Sequence, residues 1–97
     1  MDNSVRKSLR FPPDDGTVAW IDLVVHEDKK DFKPTIPALV IDEALDGCGV
    51  VTLFHTRLSE ESICLVRVGN LEPLRAQVRW IKDLDDDVFK IGLMYLE

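Results

Sequence analysis

The sequence predicts an all-β fold. Six runs of β-forming residues recur along 97 positions, and most of the links between them are short. Several links carry glycine, proline or asparagine, the residues that turn a chain. Six such strands in one small domain close as an antiparallel barrel or a tight sandwich.

Residues 1–10 read as an unstructured lead-in, and Phe11-Pro12-Pro13-Asp14-Asp15-Gly16 as loop chemistry, with prolines fixing φ and glycine closing a turn. Thr17 to Val25 is the first strand. Ala19, Ile21, Leu23 and Val25 fall on one face; Asp22 lies on the other and Trp20 shares its side, partly exposed. His26 to Lys33 is a charged connection, and Thr35 to Ala44 the second strand. Pro34 and Pro37 suggest that it starts at a sheet edge, where a missing N–H costs little.

Leu45-Asp46-Gly47-Cys48-Gly49 reads as a turn, and Val50 to Phe54 as the third strand. His55 to Glu61 is a polar link with room for one helical turn, and Ser62 to Val68 the fourth strand. Gly69-Asn70 signals a hairpin, because both residues tolerate positive φ. Leu74 to Ile81 alternates, with Leu74, Ala76, Val78 and Trp80 on the apolar side and Arg75, Gln77 and Arg79 opposite. Asp83 to Asp87 is a turn. Val88 to Leu96 closes the set, with Phe89, Ile91, Leu93 and Tyr95 facing the core.

Composition narrows the function classes. Hydrophobic residues make up 45%, enough for one core. No apolar run approaches the ~18 residues of a membrane span, and the N-terminus lacks the apolar stretch of a signal peptide. The expectation is a cytoplasmic protein. The net charge of −6 argues against broad binding to nucleic-acid polymers or anionic membranes. It is unevenly spread: Arg6, Lys7 and Arg10 against Asp2 give residues 1–10 a charge of +2, leaving −8 on residues 11–97. Such an arm reads, from charge alone, as a solvated basic tail on an acidic surface or as a means of capturing one small dianion without binding polyanions generally. Cys48 and Cys64, both in apolar runs, read as buried thiols.

Two motifs carry the functional reading. Arg6-Lys7-Ser8-Leu9-Arg10 places two guanidiniums up to ~13 Å apart in extended chain. Guanidinium forks match phosphate oxygens and the O6/N7 edge of guanine. Asp42-Glu43-Ala44-Leu45-Asp46-Gly47 is an acid-headed turn of small residues. A carboxylate accepts from the N1 and N2 hydrogens of guanine, although a strand-end aspartate also commonly bonds its own turn.

Together these motifs resemble the PilZ domain family, bacterial receptors for cyclic di-GMP. The family pattern is Arg-x-x-x-Arg, then a strand pair, then Asp/Asn-x-Ser-x-x-Gly. The first element matches in full; the second has Ala44 where the family has serine. Arg75-Ala76-Gln77-Val78-Arg79-Trp80-Ile81 and Phe89-Lys90-Ile91-Gly92-Leu93-Met94-Tyr95-Leu96 are similar to the family's closing hairpin. The likeness covers roughly residues 5–97.

The resemblance implies a six-stranded antiparallel β-barrel over residues 11–97, preceded by a flexible arginine-bearing arm at 1–10. It implies cyclic di-GMP as ligand, with Arg6 and Arg10 on phosphate and guanine, Asp42 holding a guanine, and Ala44 and Gly47 beside them. Gly47 would let the backbone turn tightly against the ligand. Binding would order the arm and signal to an unidentified protein effector controlling motility, attachment or exopolysaccharide. Ala44 forfeits a hydroxyl hydrogen bond, at about 0.5–1.5 kcal/mol, or up to about 3 if the partner is a charged phosphate. A ligand-blind adaptor in pilus or motility machinery is therefore the rival reading.

No catalytic residues, metal ligands or cofactor are expected. Asp83-Leu84-Asp85-Asp86-Asp87 fails as a calcium loop, because Val88 and Met94 fall where glycine and a bidentate acid belong. It reads as a solvated hairpin tip. His26 and His55 read as surface histidines. Ser59 and Ser62 lack a nucleophile elbow, and so small a barrel is filled by its own side chains. The face of Arg75, Gln77 and Arg79, with Trp20 nearby, reads as solvated strand surface or a protein-docking face.

Overall fold

Alternation of inward and outward side chains closes six antiparallel strands into one barrel. The structure, a computed structural model, describes residues 17–53 and 58–97. The strands are β1 (Val18–Asp22), β2 (Ile36–Ala44), β3 (Gly47–Thr52), β4 (Ile63–Val68), β5 (Leu74–Asp85) and β6 (Val88–Tyr95). Around the barrel they run β1-β2-β3-β6-β5-β4, with β4 returning to β1. Of the two architectures open to the sequence, the chain adopts the barrel.

The interior is lined by one face of each strand. Ala19 and Ile21, Val50, Cys64 and Val66, Ala76 and Val78, and Ile91 are all within 1% of complete burial. At roughly 1.5–3 kcal/mol for each fully buried branched side chain, this interior is the main source of stability. Cys48 and Cys64 are free and buried in it, as expected. Burial pushes their thiols up to about 11 and about 12 respectively. Tyr95 shares a hydrogen bond with Cys48, and burial raises its phenol as well.

Several elements differ from the sequence reading. The turn after β2 is only Leu45-Asp46; Gly47, Cys48 and Gly49 already pair in β3. A Cβ at Gly47 would overlap the Leu93 carbonyl oxygen, so its glycine reflects close approach of β6 rather than a turn. Pro37 does not mark a sheet edge, because β2 is paired on both sides. The Val40 N–H donates to Thr17 of the β1 side, so by alternation the Pro37 nitrogen faces the β3 side, level with Leu53 and past that strand's end. No ladder bond is lost there, and the Thr52 hydroxyl donates to the Pro37 carbonyl at 3.0 Å.

β1 stops at Asp22 rather than continuing to Val25. Asp22 is 3% exposed, not on a solvated face. Its carboxylate accepts from the Val24 N–H (3.0 Å) and the Lys33 N–H (2.8 Å), with His26 Nε2 at 3.0 Å. It thereby ties both ends of the β1–β2 connection, which contains a single 3-10 turn at Lys29–Asp31. His26 is correspondingly half-buried and partnered rather than a free surface histidine; His55 lies outside the described residues. β5 also runs on to Asp85, so the acidic turn shrinks to Asp86-Asp87, with Asp87 at φ 63°.

Candidate functional site

Two β-bulges decide what the outer surface carries. A strand's alternation reverses when one residue is inserted, so everything beyond it changes face. In β2 the register shifts between Val40 and Asp42. Val40 points inward, opposite Val50, and the extra residue Ile41 swings Asp42 and Ala44 outward, opposite Gly49 and Gly47. In β5 the register shifts between Val78 and Trp80. Arg79 is the inserted residue, and Trp80 emerges on the outside, opposite Gly92 and 37% exposed. Simple alternation places Trp80 in the core, and the bulge overturns that placement.

The two re-aimed side chains meet a shared floor. Asp42 pairs with Gly49, Gly49 with Gly92, and Gly92 with Trp80. This row crosses β2, β3, β6 and β5, with an acid at one end, an indole at the other and two glycines between. Strand spacing puts the end Cα atoms roughly 14 Å apart. A Cβ at Gly49 would lie 3.0 Å from both Asp42 carboxylate oxygens, and one at Gly92 would overlap the Trp80 indole. Both end groups therefore lean inward over backbone that has no side chains to hold them off.

Charge is graded along the row. Asp42 and Asp46 stand on the β2–β3 side. On the other side Lys90 Nζ lies 5.8 Å from the Trp80 ring centroid, a cation–π contact. Arg79 is exposed and reaches Met94 Sδ at 3.9 Å from Nη1. An open hollow of about 220 Å³ covers the Gly49, Gly92 and Trp80 part of the row, bounded also by Ala44, Asp46, Gly47, Arg79 and Met94; Asp42 stands beside it, outside its lining. Such a surface offers acceptors at one end, cations at the other and an aromatic face for stacking.

Of the residues the sequence singled out, Asp42, Ala44 and Gly47 share this outer face. Ala44 borders the hollow but is only 7% exposed. Arg6 and Arg10 lie outside the described residues. Arg79, Trp80, Gly49 and Gly92 were not among the expected ligand contacts. Trp20, grouped by sequence with Arg75, Gln77 and Arg79, belongs instead to a separate hollow with Glu43 and Arg67. Arg75 and Gln77 are engaged locally, Arg75 with Glu97 and Gln77 with Glu61.

Among the described residues, no group of three or more His, Cys, Asp or Glu side chains is arranged to hold a metal ion. No helix among them is long and apolar enough to cross a membrane. In comparisons with known proteins, no family model, no curated protein and no solved structure matches the chain.

Proposed function

We propose that the chain is a cyclic di-GMP receptor, as the resemblance to PilZ domains implies, and that its ligand lies on the outer face of β2, β3, β6 and β5. The observation that supports it best is the row Asp42–Gly49–Gly92–Trp80. A guanine set on the glycine floor would donate N1–H and N2–H to the Asp42 carboxylate. Trp80 would offer a stacking face, and Arg79 a guanidinium for phosphate. Arg6 and Arg10, outside the described residues, would add two further forks for phosphate and the guanine O6/N7 edge.

Binding here changes the charge and shape of one barrel face, and a protein partner reading that face would carry the signal. The output proposed by analogy is control of motility, attachment or exopolysaccharide. No catalytic step is proposed.

Isothermal titration with cyclic di-GMP, and GMP as control, tests the reading. Binding at about 1 μM or tighter that GMP does not match supports it. A flat trace to high micromolar ligand rejects it.

One observation favours the rival, a ligand-independent adaptor. The outer face of β1–β2–β3 holds an apolar hollow of about 350 Å³ lined by Val18, Pro37, Leu39, Val51 and Leu53. Leu39 and Leu53 are 48% and 57% exposed there, and an exposed apolar patch suits a protein contact.

A further inference from the structure

The barrel face of β1 and β4 carries a second constellation. Trp20 and Arg67 are cross-strand partners on the outer surface, between the inward pairs Ala19–Val68 and Ile21–Val66. Arg67 packs its guanidinium over the Phe32 ring, 5.7 Å from the centroid. A cation–π contact of this kind favours one placement of the guanidinium before any partner arrives.

Two further facts set Arg67 apart. Its Nε is buried and has no hydrogen-bond partner among the described residues, whereas buried polar side-chain atoms in folded proteins are nearly always paired. It also forms no ion pair with any described residue, in a chain with 18 acids against 12 basic residues. Arg79 is exposed, whereas Arg67 is only partly exposed and forms part of a wall. That wall bounds a hollow of about 480 Å³, whose margin includes Trp20, Glu43, Asn70 and Leu71.

We infer that this hollow is a second binding site, for a small ligand in which a planar ring carries one anionic group. Arg67 takes the anion, as a preset fork with donors to spare. Trp20, its neighbour across the strands, takes the ring. Glu43 and Asn70 at the margin accept or donate to polar atoms on the ring edge, so rings with edge donors are preferred. The site lies apart from the Asp42–Trp80 row, sharing no lining residue with its hollow, and does not rest on the proposal made for that row.

The chain's two tryptophans, Trp20 and Trp80, fall one in each hollow. The two indole N–H resonances of the ¹⁵N-labelled protein, assigned by Trp20→Phe and Trp80→Phe, therefore report the two sites separately. Indole-3-acetate and GMP are the probes for a simple aromatic acid and a nucleotide; inorganic phosphate is the ringless control. Saturable movement of the Trp20 resonance with either ring-bearing anion, and not with phosphate, is expected. Arg67→Met, which keeps an apolar stem against Phe32, should weaken that response about tenfold or more.

An unmoved Trp20 resonance up to about 10 mM of both probes overturns the proposal. Equal movement with phosphate alone overturns it too, by removing the ring from recognition. An unchanged response in a folded Arg67→Met protein overturns the role of the guanidinium; should that variant lose its dispersed spectrum, Arg67→Lys makes the same comparison. Movement confined to Trp80 counts against this site and leaves the outer row to be judged by its own titration.

Discussion

The Trp80 indole occupies the space above Gly92 that any side chain at position 92 would need. The two residues are cross-strand partners, so the ring is seated by the absence of a neighbour rather than by a pocket of its own. Gly92→Ala should therefore displace the indole. The expected cost is about 1–3 kcal/mol from overpacking, read by denaturant unfolding. A shift in tryptophan emission relative to Trp80→Phe would show that the ring has moved.

Asp42 stands at the opposite end of the same row, its oxygens over Gly49. Asp42→Asn keeps the shape and removes the anionic acceptor. If this carboxylate holds a guanine, cyclic di-GMP binding should weaken by about 1.5–3 kcal/mol, the worth of hydrogen bonds to a charged group. Calorimetric titration reads the change, and an unaltered affinity would take Asp42 out of the site.

Ala44 borders the hollow opposite Gly47. Ala44→Ser adds the hydroxyl that the proposed resemblance to PilZ domains would place here. Tighter cyclic di-GMP binding by about 0.5–1.5 kcal/mol is expected, and no gain would show that the site does not use a donor there.

Acid should loosen the β1–β2 connection. Burial alone would raise the Asp22 carboxyl, but hydrogen bonds from Lys33, Val24 and His26 together hold it below its ordinary value. Glu97 is held down to about 2 by Lys29 and by the Arg75 N–H, which donates at 2.7 Å. A carboxyl depressed in the folded state adds stability above its unfolded pKa and loses it as pH falls through the folded value. Unfolding midpoints should thus drop from near pH 4 toward about 2. In Asp22→Ala part of that dependence should vanish, with a loss of about 1–3 kcal/mol at neutral pH from donors left unpaired.

The thiols should be inert while the barrel is closed. Cys48 and Cys64 are raised to about 11 and about 12 by burial, so almost no thiolate exists near neutral pH. Modification by a disulfide reagent should track the rate of opening and become immediate in denaturant. Fast labelling of the native protein would contradict the buried placement.

The strands themselves were legible because each buries one face. Leu74, Ala76 and Val78, or Ile91 and Leu93, alternate as a half-buried strand must. The bulges were not legible. Nothing local marks Ile41 or Arg79 as an inserted residue, and each reverses the facing of the residues beyond it. Gly47 and Gly49 read as turn residues because glycine is the commonest turn signal, whereas here they make room for β6 and for Asp42. Alternation places Asp22 opposite the apolar face of β1, yet hydrogen bonds from the returning chain allow it to be buried. Half of the candidate site escaped notice for a topological reason: Asp42, Gly49, Trp80 and Gly92 become neighbours only through three strand pairings.

The length of β5 has a consequence for self-association. β4 accompanies β5 only as far as the Ile63–Gln77 pair and the hydrogen bonds between Val78 and the residues just before β4. From Arg79 to Asp85, β5 is paired with β6 alone among the described strands. Such a ribbon offers its outer backbone to another molecule unless something forbids the match. Here two register breaks and the charges of Lys82, Asp83 and Asp85 do so. This seven-residue stretch is hard for a second copy to extend, and smoothing it would be a direct route to sheet-to-sheet fibres.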